Sequence, residues 1–164
     1  MRKGPGMTRA RKTWHEKLEN PVEGLPKVVD VPDKWMKMMG GRRVLVPTPM
    51  MVHDLVQIVP ERKLITVGQI RQQLAQPFQA DSTCPLTTGI FLRIISEAAE
   101  EDRQAGKKRI TPYWRVVKDD GSLNPKFPGG VLSHAEKLRE EGHAVTAGKG
   151  KKPPRVVDFE QSLV

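Results

Sequence analysis

Two amphipathic helical patterns set one after the other across a short polar connection, in residues 66–106, constrain this chain more than any other feature. Thr66 offers a hydroxyl cap to a helix in which Val67, Ile70 and Leu74 share a face, and Pro77 stops that helix in a polar connection running to Ser82. Beyond Pro85 a longer helix carries Ile90, Phe91, Ile94, Ile95 and Ala98 as an apolar stripe expected in the core. Arg93, Glu97, Glu100 and Glu101 are expected to face solvent, and Gly106 ends the pattern. Two helices joined by such a turn predict a helix-turn-helix.

The flanks complete a small α+β domain. On the N-terminal side, a short helix is predicted from Trp14 to Leu18 and an extended segment from Asn20 to Pro32. A helix opened by Pro32 and Asp33 and ended by Gly40 and Gly41, a strand over Arg43 to Val46, and a helix carrying Val52, Leu55, Val56 and Val59 then follow. On the C-terminal side, Ile110 to Val117 reads as a strand and Asp119-Asp120-Gly121 as a hairpin turn. Asn124 to Gly130 is a Pro/Gly loop, the helix after it is expected to bury Leu132, Ala135 and Leu138, and Arg155 to Val164 makes a last strand and turn. The order helix, helix, strand hairpin, helix predicts a winged helix-turn-helix. The chain divides into a disordered basic arm at 1–12, an N-terminal extension at 13–48 packed on the domain, the domain at 49–147, and a basic linker with a strand and turn at 148–164.

Charge is concentrated at the ends. Of 28 Lys and Arg residues against 19 Asp and Glu, five lie in residues 1–12 and four more are Lys149, Lys151, Lys152 and Arg155, which leaves the body balanced at 19 against 19. Basic ends attract a polyanion such as nucleic acid, and solubilising tails have the same composition. No stretch approaches the length of a membrane span and no apolar block follows the basic N-terminus, so a cytoplasmic protein is expected, without membrane association and as a monomer. One cysteine, Cys84, excludes an intramolecular disulfide and multi-cysteine metal sites, and His15, His53, His134 and His143 lack ligand spacing. Neither a metal nor a cofactor is expected.

Residues 112–142, PYWRVVKDDGSLNPKFPGGVLSHAEKLREEG, resemble the C-terminal half of the O6-alkylguanine-DNA alkyltransferases, whose signature runs PCHRVV, DG, GG and a closing EG. Pro112, Arg115, Val116, Val117, Gly121, Leu123, Gly129, Gly130, Leu138, Glu141 and Gly142 match. Upstream, Leu55, Ile58, Pro60, Thr66, Gly68 and Ile70 match the family's VWxxLxxIPxGxxxTYGxI, so the resemblance covers roughly residues 50–145. It implies that Pro112, Tyr113, Trp114, Arg115, Phe127, Gly129 and Glu141 enclose an alkylguanine pocket with Tyr113 at its floor. It also implies that Thr66, Val67, Leu86, Thr87, Thr88, Gly89 and Arg93 face double-stranded DNA.

The departures bear on chemistry. The family's acceptor cysteine and the histidine that ionises it are Tyr113 and Trp114 here. A phenol with an ordinary pKa near 10 is a poor nucleophile at neutral pH and an indole is no base, so alkyl transfer by the family mechanism is excluded. The chain is similar in this respect to the noncatalytic alkyltransferase-like branch, which binds DNA and flips alkylated guanines, although that branch keeps the histidine. The family's finger arginine is replaced by Leu86 or Thr87, and its phosphate-binding tyrosine by Val67. A leucine can wedge between base steps, and the helix start at Thr87 to Gly89 offers backbone N–H groups to a phosphate.

Three functions follow: a noncatalytic protein recognising alkylated DNA for repair, a winged-helix nucleic-acid or protein interaction module without lesion recognition, and an alkyl acceptor using Cys84. A cysteine before Pro85 with no neighbouring histidine reads first as an inert small residue. Tyr113 and Trp114 read either as core aromatics or as a remodelled pocket, and Arg115 either stitches a loop through backbone carbonyls or meets a phosphate.

Overall fold

A computed structural model describes residues 12–164. The sequence expectation for a basic arm therefore lies outside the described residues, except at Lys12.

The elements in chain order are α1 (Trp14–Glu19), β1 (Lys27–Asp30), α2 (Asp33–Met39), β2 (Arg43–Val46), α3 (Pro49–Gln57), β3 (Ile65–Thr66), α4 (Val67–Ala75), β4 (Ser82–Thr83), α5 (Pro85–Gln104), β5 (Val116–Val117) and α6 (Gly130–Glu140). Local chemistry sets most boundaries. Thr13 and Glu16 form a capping box on α1, and Thr66 and Gln69 form another on α4. Gly40 ends α2 in the left-handed region at φ 92°.

Two small sheets tie the helices together. In the first, β2 lies between an antiparallel β1 and a parallel β4, and in the second β3 runs parallel to β5. The main core gathers Leu45, Val52, Val56, Ile70, Leu92 and Ile95 between α3, α4 and α5, and a second core joins Leu64, Val117, Leu123, Leu138, Val156 and Phe159. The last residues thus belong to the domain. Leu64 donates its N–H to Ser162 O at 2.9 Å and accepts from Val164 N–H at 2.9 Å. Residues 148–155 close a turn in which Lys149 and Lys152 exchange backbone hydrogen bonds of 3.0 and 2.9 Å.

The helix-turn-helix is α4 and α5, and one arginine organises its turn. Arg71 on α4 donates to Thr83 O at 2.8 Å, to Ser82 Oγ at 3.0 Å and to Met39 O at the end of α2 at 3.1 Å, while Thr83 Oγ1 donates back to Arg71 O at 2.7 Å. Each buried polar atom of the turn thereby finds a partner.

Several sequence expectations need correction. The strand expected over Ile110 to Val117 is reduced to Val116–Val117, because Tyr113–Arg115 winds into a single 3-10 turn. Asp119-Asp120-Gly121 turns the chain, but no hairpin of two paired strands follows; Ser122 pairs with Arg155 instead. Leu132 is 81% exposed, and His134 takes the buried place beside Ala135 and Leu138. Ile90 is 58% exposed, because it lies with Leu86 on the uncovered side of α5 while Thr88, Phe91 and Leu92 of the same turns are buried. Glu100 and Glu101 turn inward to protein partners, whereas Arg93 is exposed.

Candidate nucleic-acid interface

Tyr113, which the sequence resemblance aligns with the acceptor cysteine, is 1% exposed and does not floor a cleft. Its ring packs edge-on against Trp114 and Phe127 at centroid distances of 5.3 and 5.2 Å. The hydroxyl donates to Glu100 Oε2 at 2.8 Å, and the same carboxylate accepts from Arg103 Nε at 2.6 Å. Burial, together with the bond to Glu100, raises the phenol pKa far above its ordinary value. Burial pushes the Glu100 carboxyl up, but the bonds from Arg103 and Tyr113 outweigh it and leave its pKa lowered. The pair is a neutral phenol on a carboxylate, with no nucleophile at position 113.

Arg115 is fully engaged in holding the chain together. It forks onto Glu141, with Nε to Oε1 at 3.0 Å and Nη2 to Oε2 at 2.7 Å, and Nη1 donates to Val59 O at 2.6 Å. Burial pushes Glu141 up, and the Arg115 bonds reverse that, so its pKa is lowered. The half-buried Trp114 has its Nε1 beside the same carboxylate without reaching hydrogen-bond geometry. Trp114 and Glu141 line a cavity of about 160 Å³, whereas Pro112 and Phe127 are buried. Gly129 caps α6 at φ 80°, where a Cβ would meet Ser133 Cβ at 2.5 Å. Of the expected alkylguanine-pocket residues, Tyr113 packs on Trp114 and Phe127, Arg115 pairs with Glu141, and none of the seven lines the large groove.

That groove, about 1080 Å³, opens where α5 begins. Its walls are Val67 on α4, Pro85, Leu86, Gly89, Ile90 and Leu92 to Ile94 on α5, Lys118 and Asp119, the loop Asn124 to Lys126, and Trp14 and Lys17 of α1. Leu86 and Ile90, each 58% exposed, stand in it as apolar side chains one helical turn apart. Four cations line it, Lys17, Arg93, Lys118 and Lys126, against one carboxylate, Asp119. Asp119 is engaged at the start of α4, where its Oδ1 accepts the Gly68 N–H at 2.6 Å. None of the four cations is ion-paired to a carboxylate among the described residues.

Of the DNA-facing candidates, Val67, Leu86, Gly89 and Arg93 line this groove. The other three do not. Thr66 is the buried cap of α4, Thr88 is fully buried with Oγ1 donating to Cys84 O at 2.7 Å, and Thr87 turns to the same carbonyl at 3.3 Å. Cys84 is buried against Val31 and Val44. Sequence reasoning missed Trp14 and Lys17, whose spacing of three residues on a helix was the available signal.

No protein family and no curated protein matches the sequence. Among solved structures, the chain is similar to S. pombe Atl1 in complex with damaged DNA containing O6-carboxymethylguanine. The two are 16% identical with a TM-score of 0.50, over 71% of this chain and 93% of that one. The fold is that of an alkyltransferase-like protein. A second S. pombe ATL structure in complex with DNA matches at 17% identity and a TM-score of 0.49, over 71% and 93% of the two chains. At these identities the likeness is one of fold, and the alkyltransferase-like frame of this chain carries its own side chains at the start of α5. Among the described residues no helix is long and apolar enough to cross a membrane, and no three His, Cys, Asp or Glu side chains gather as metal ligands.

Proposed function

We propose that this chain binds duplex DNA in the groove at the start of α5 and accepts no alkyl group. One observation carries the reading: four cations without carboxylate partners surround two exposed apolar side chains, Leu86 and Ile90, at the N-terminal turns of a helix-turn-helix. Cations without carboxylate partners among the described residues are available to phosphates, whose neutralisation releases counterions and drives sequence-independent binding. Leu86 and Ile90 supply the apolar bulk with which minor-groove proteins part base steps. The minor groove offers a degenerate hydrogen-bond pattern, which suits a surface carrying cations and hydrocarbon.

The finer reading is recognition of O6-alkylguanine lesions as a step towards repair. It is supported by the likeness to Atl1, whose structure contains such a lesion, and by a groove with room for a nucleoside beside the apolar pair. The closed packing around Tyr113 favours a reading in which an extrahelical base would sit in this groove. Fluorescence anisotropy with matched duplexes, with and without O6-methylguanine at physiological salt, tests both levels. Binding to both duplexes supports the groove, tighter binding to the alkylated duplex supports lesion recognition, and no binding to either overturns the proposal.

A further inference from the structure

Helix α1 is pinned along α5 by polar contacts and a buried leucine. Glu101 on α5 accepts the N–H groups of Trp14 and His15 at 3.1 and 3.0 Å, so one carboxylate caps the start of α1. His15 Nε2 lies 2.7 Å from Asp102 Oδ1, and Leu18 is buried in the main core. This docking lays the half-buried Trp14 ring along the groove wall. Lys17 Nζ lies 4.2 Å from the ring centroid, and the Arg93 guanidinium, reaching over from α5, lies 5.6 Å from it.

Two like charges are thus gathered about one indole, and neither is ion-paired to a carboxylate among the described residues. The ring attracts each cation but carries no net charge, so it neutralises neither of them. A phosphodiester suits such a pair, because a guanidinium fork and an ammonium both donate to phosphate oxygens.

We propose that the N-terminal extension completes the nucleic-acid surface: Lys17 and Arg93, held together by Trp14, grip one backbone phosphate of the bound DNA. The inference rests on the groove being a DNA site. Arg93 stands ~12 Å along α5 from Pro85, so this phosphate is distinct from any at the helix start. Trp14 acts as a positioning residue, and α1 becomes a second, non-adjacent wall of the site.

The test is the salt dependence of affinity of the full chain for an unmodified duplex, read by anisotropy, with melting temperature recorded for every variant. Lys17→Ala and Arg93→Ala should each weaken binding by roughly 5- to 10-fold at 0.1 M salt and lower the salt slope by up to ~0.9. The double variant should lose little more than either single one, because both cations serve one phosphate. Trp14→Phe should retain most of the slope and Trp14→Leu should lose it. Lys34→Ala, which removes a cation from Trp35 outside the groove, should change nothing. Wild-type binding with unaltered slopes in Lys17→Ala and Arg93→Ala overturns this inference alone. Absence of wild-type binding overturns the DNA reading with it. Should Trp14→Leu fail to fold, the two cation variants still decide.

Discussion

Tyr113 and His134 are buried polar side chains whose role in this chain is packing. Tyr113 meets Phe127, Trp114 and Glu100, so its removal is a matter of stability. Tyr113→Phe should cost about 1.5–3 kcal/mol, the usual worth of a hydrogen bond to a charged group, and Tyr113→Ala about 3–5 kcal/mol, both measured by urea denaturation. Tyr113→Cys with Trp114→His should gain no methyl-sized mass on incubation with O6-methylguanine DNA, because a cysteine there is still walled off from the groove. A stoichiometric adduct would show that the wall opens. His134 behaves as the second such residue: burial pushes its pKa down to about 4, its Nδ1 accepts the Asn124 N–H at 3.2 Å, and its Nε2 donates to Trp114 O at 2.8 Å. The unfolded chain takes up a proton near pH 6.5 that the fold refuses until about pH 4. This contribution is therefore complete above pH 6.5 and lost as pH falls towards 4, which amounts to about 2 kcal/mol between pH 7 and pH 5. The lowered carboxylates Glu100 and Glu141 titrate below that window. His143, whose pKa burial also lowers, adds a loss of the same sign in this window, so unfolding at the two pH values should show the loss in the wild type and a reduced loss in His134→Gln.

At the scale of elements, the start of α5 separates stability from binding. Gly89 lies within the helix and lines the groove, and a Cβ there would meet no atom within 4 Å. The fold has no need of a glycine at this position. Gly89→Ala should stabilise the protein by about 0.5–1 kcal/mol through helix propensity, while weakening DNA binding several-fold by holding the strand away from the helix. A higher melting temperature with unchanged affinity would place the DNA elsewhere on the molecule. The exposed Leu86 and Ile90 belong to the same logic, as apolar side chains that an internal account of α5 leaves without partners.

For the whole molecule, the excess of positive charge lies at the two ends of the chain. Residues 148–155 form a turn that leads Val156 and Phe159 into the second core, so deleting them would disturb the fold. The basic ends are better tested by removing residues 1–11 and, separately, by replacing Lys149, Lys151 and Lys152 with alanine. If the ends meet phosphates, each change should weaken binding to alkylated and plain duplexes alike and reduce the salt slope by up to ~0.9 per lost contact. Unchanged slopes in titrations from low to high salt would make the ends solubilising segments.

The sequence by itself determined the elements whose causes are local. The Thr66 cap, the Pro85 start, the Gly40 and Gly106 stops and the apolar spacing of α4 and α5 lie within a few residues of what they specify, so they were legible in one dimension. The family signature added the frame but brought Tyr113 and Trp114 into view as a pocket. Only the tertiary structure decided what each face meets. Glu100 and Glu101 read as solvent-facing until one accepts a phenol 13 residues away and the other caps a helix 87 residues away. Ile90 and Leu132 read as core until no element arrives to cover them. Periodicity states that a face is apolar or charged and cannot state its partner, because that depends on which distant segment the sheets and the Arg71-held turn bring alongside. The groove wall supplied by Trp14 and Lys17 is a result of that long-range placement.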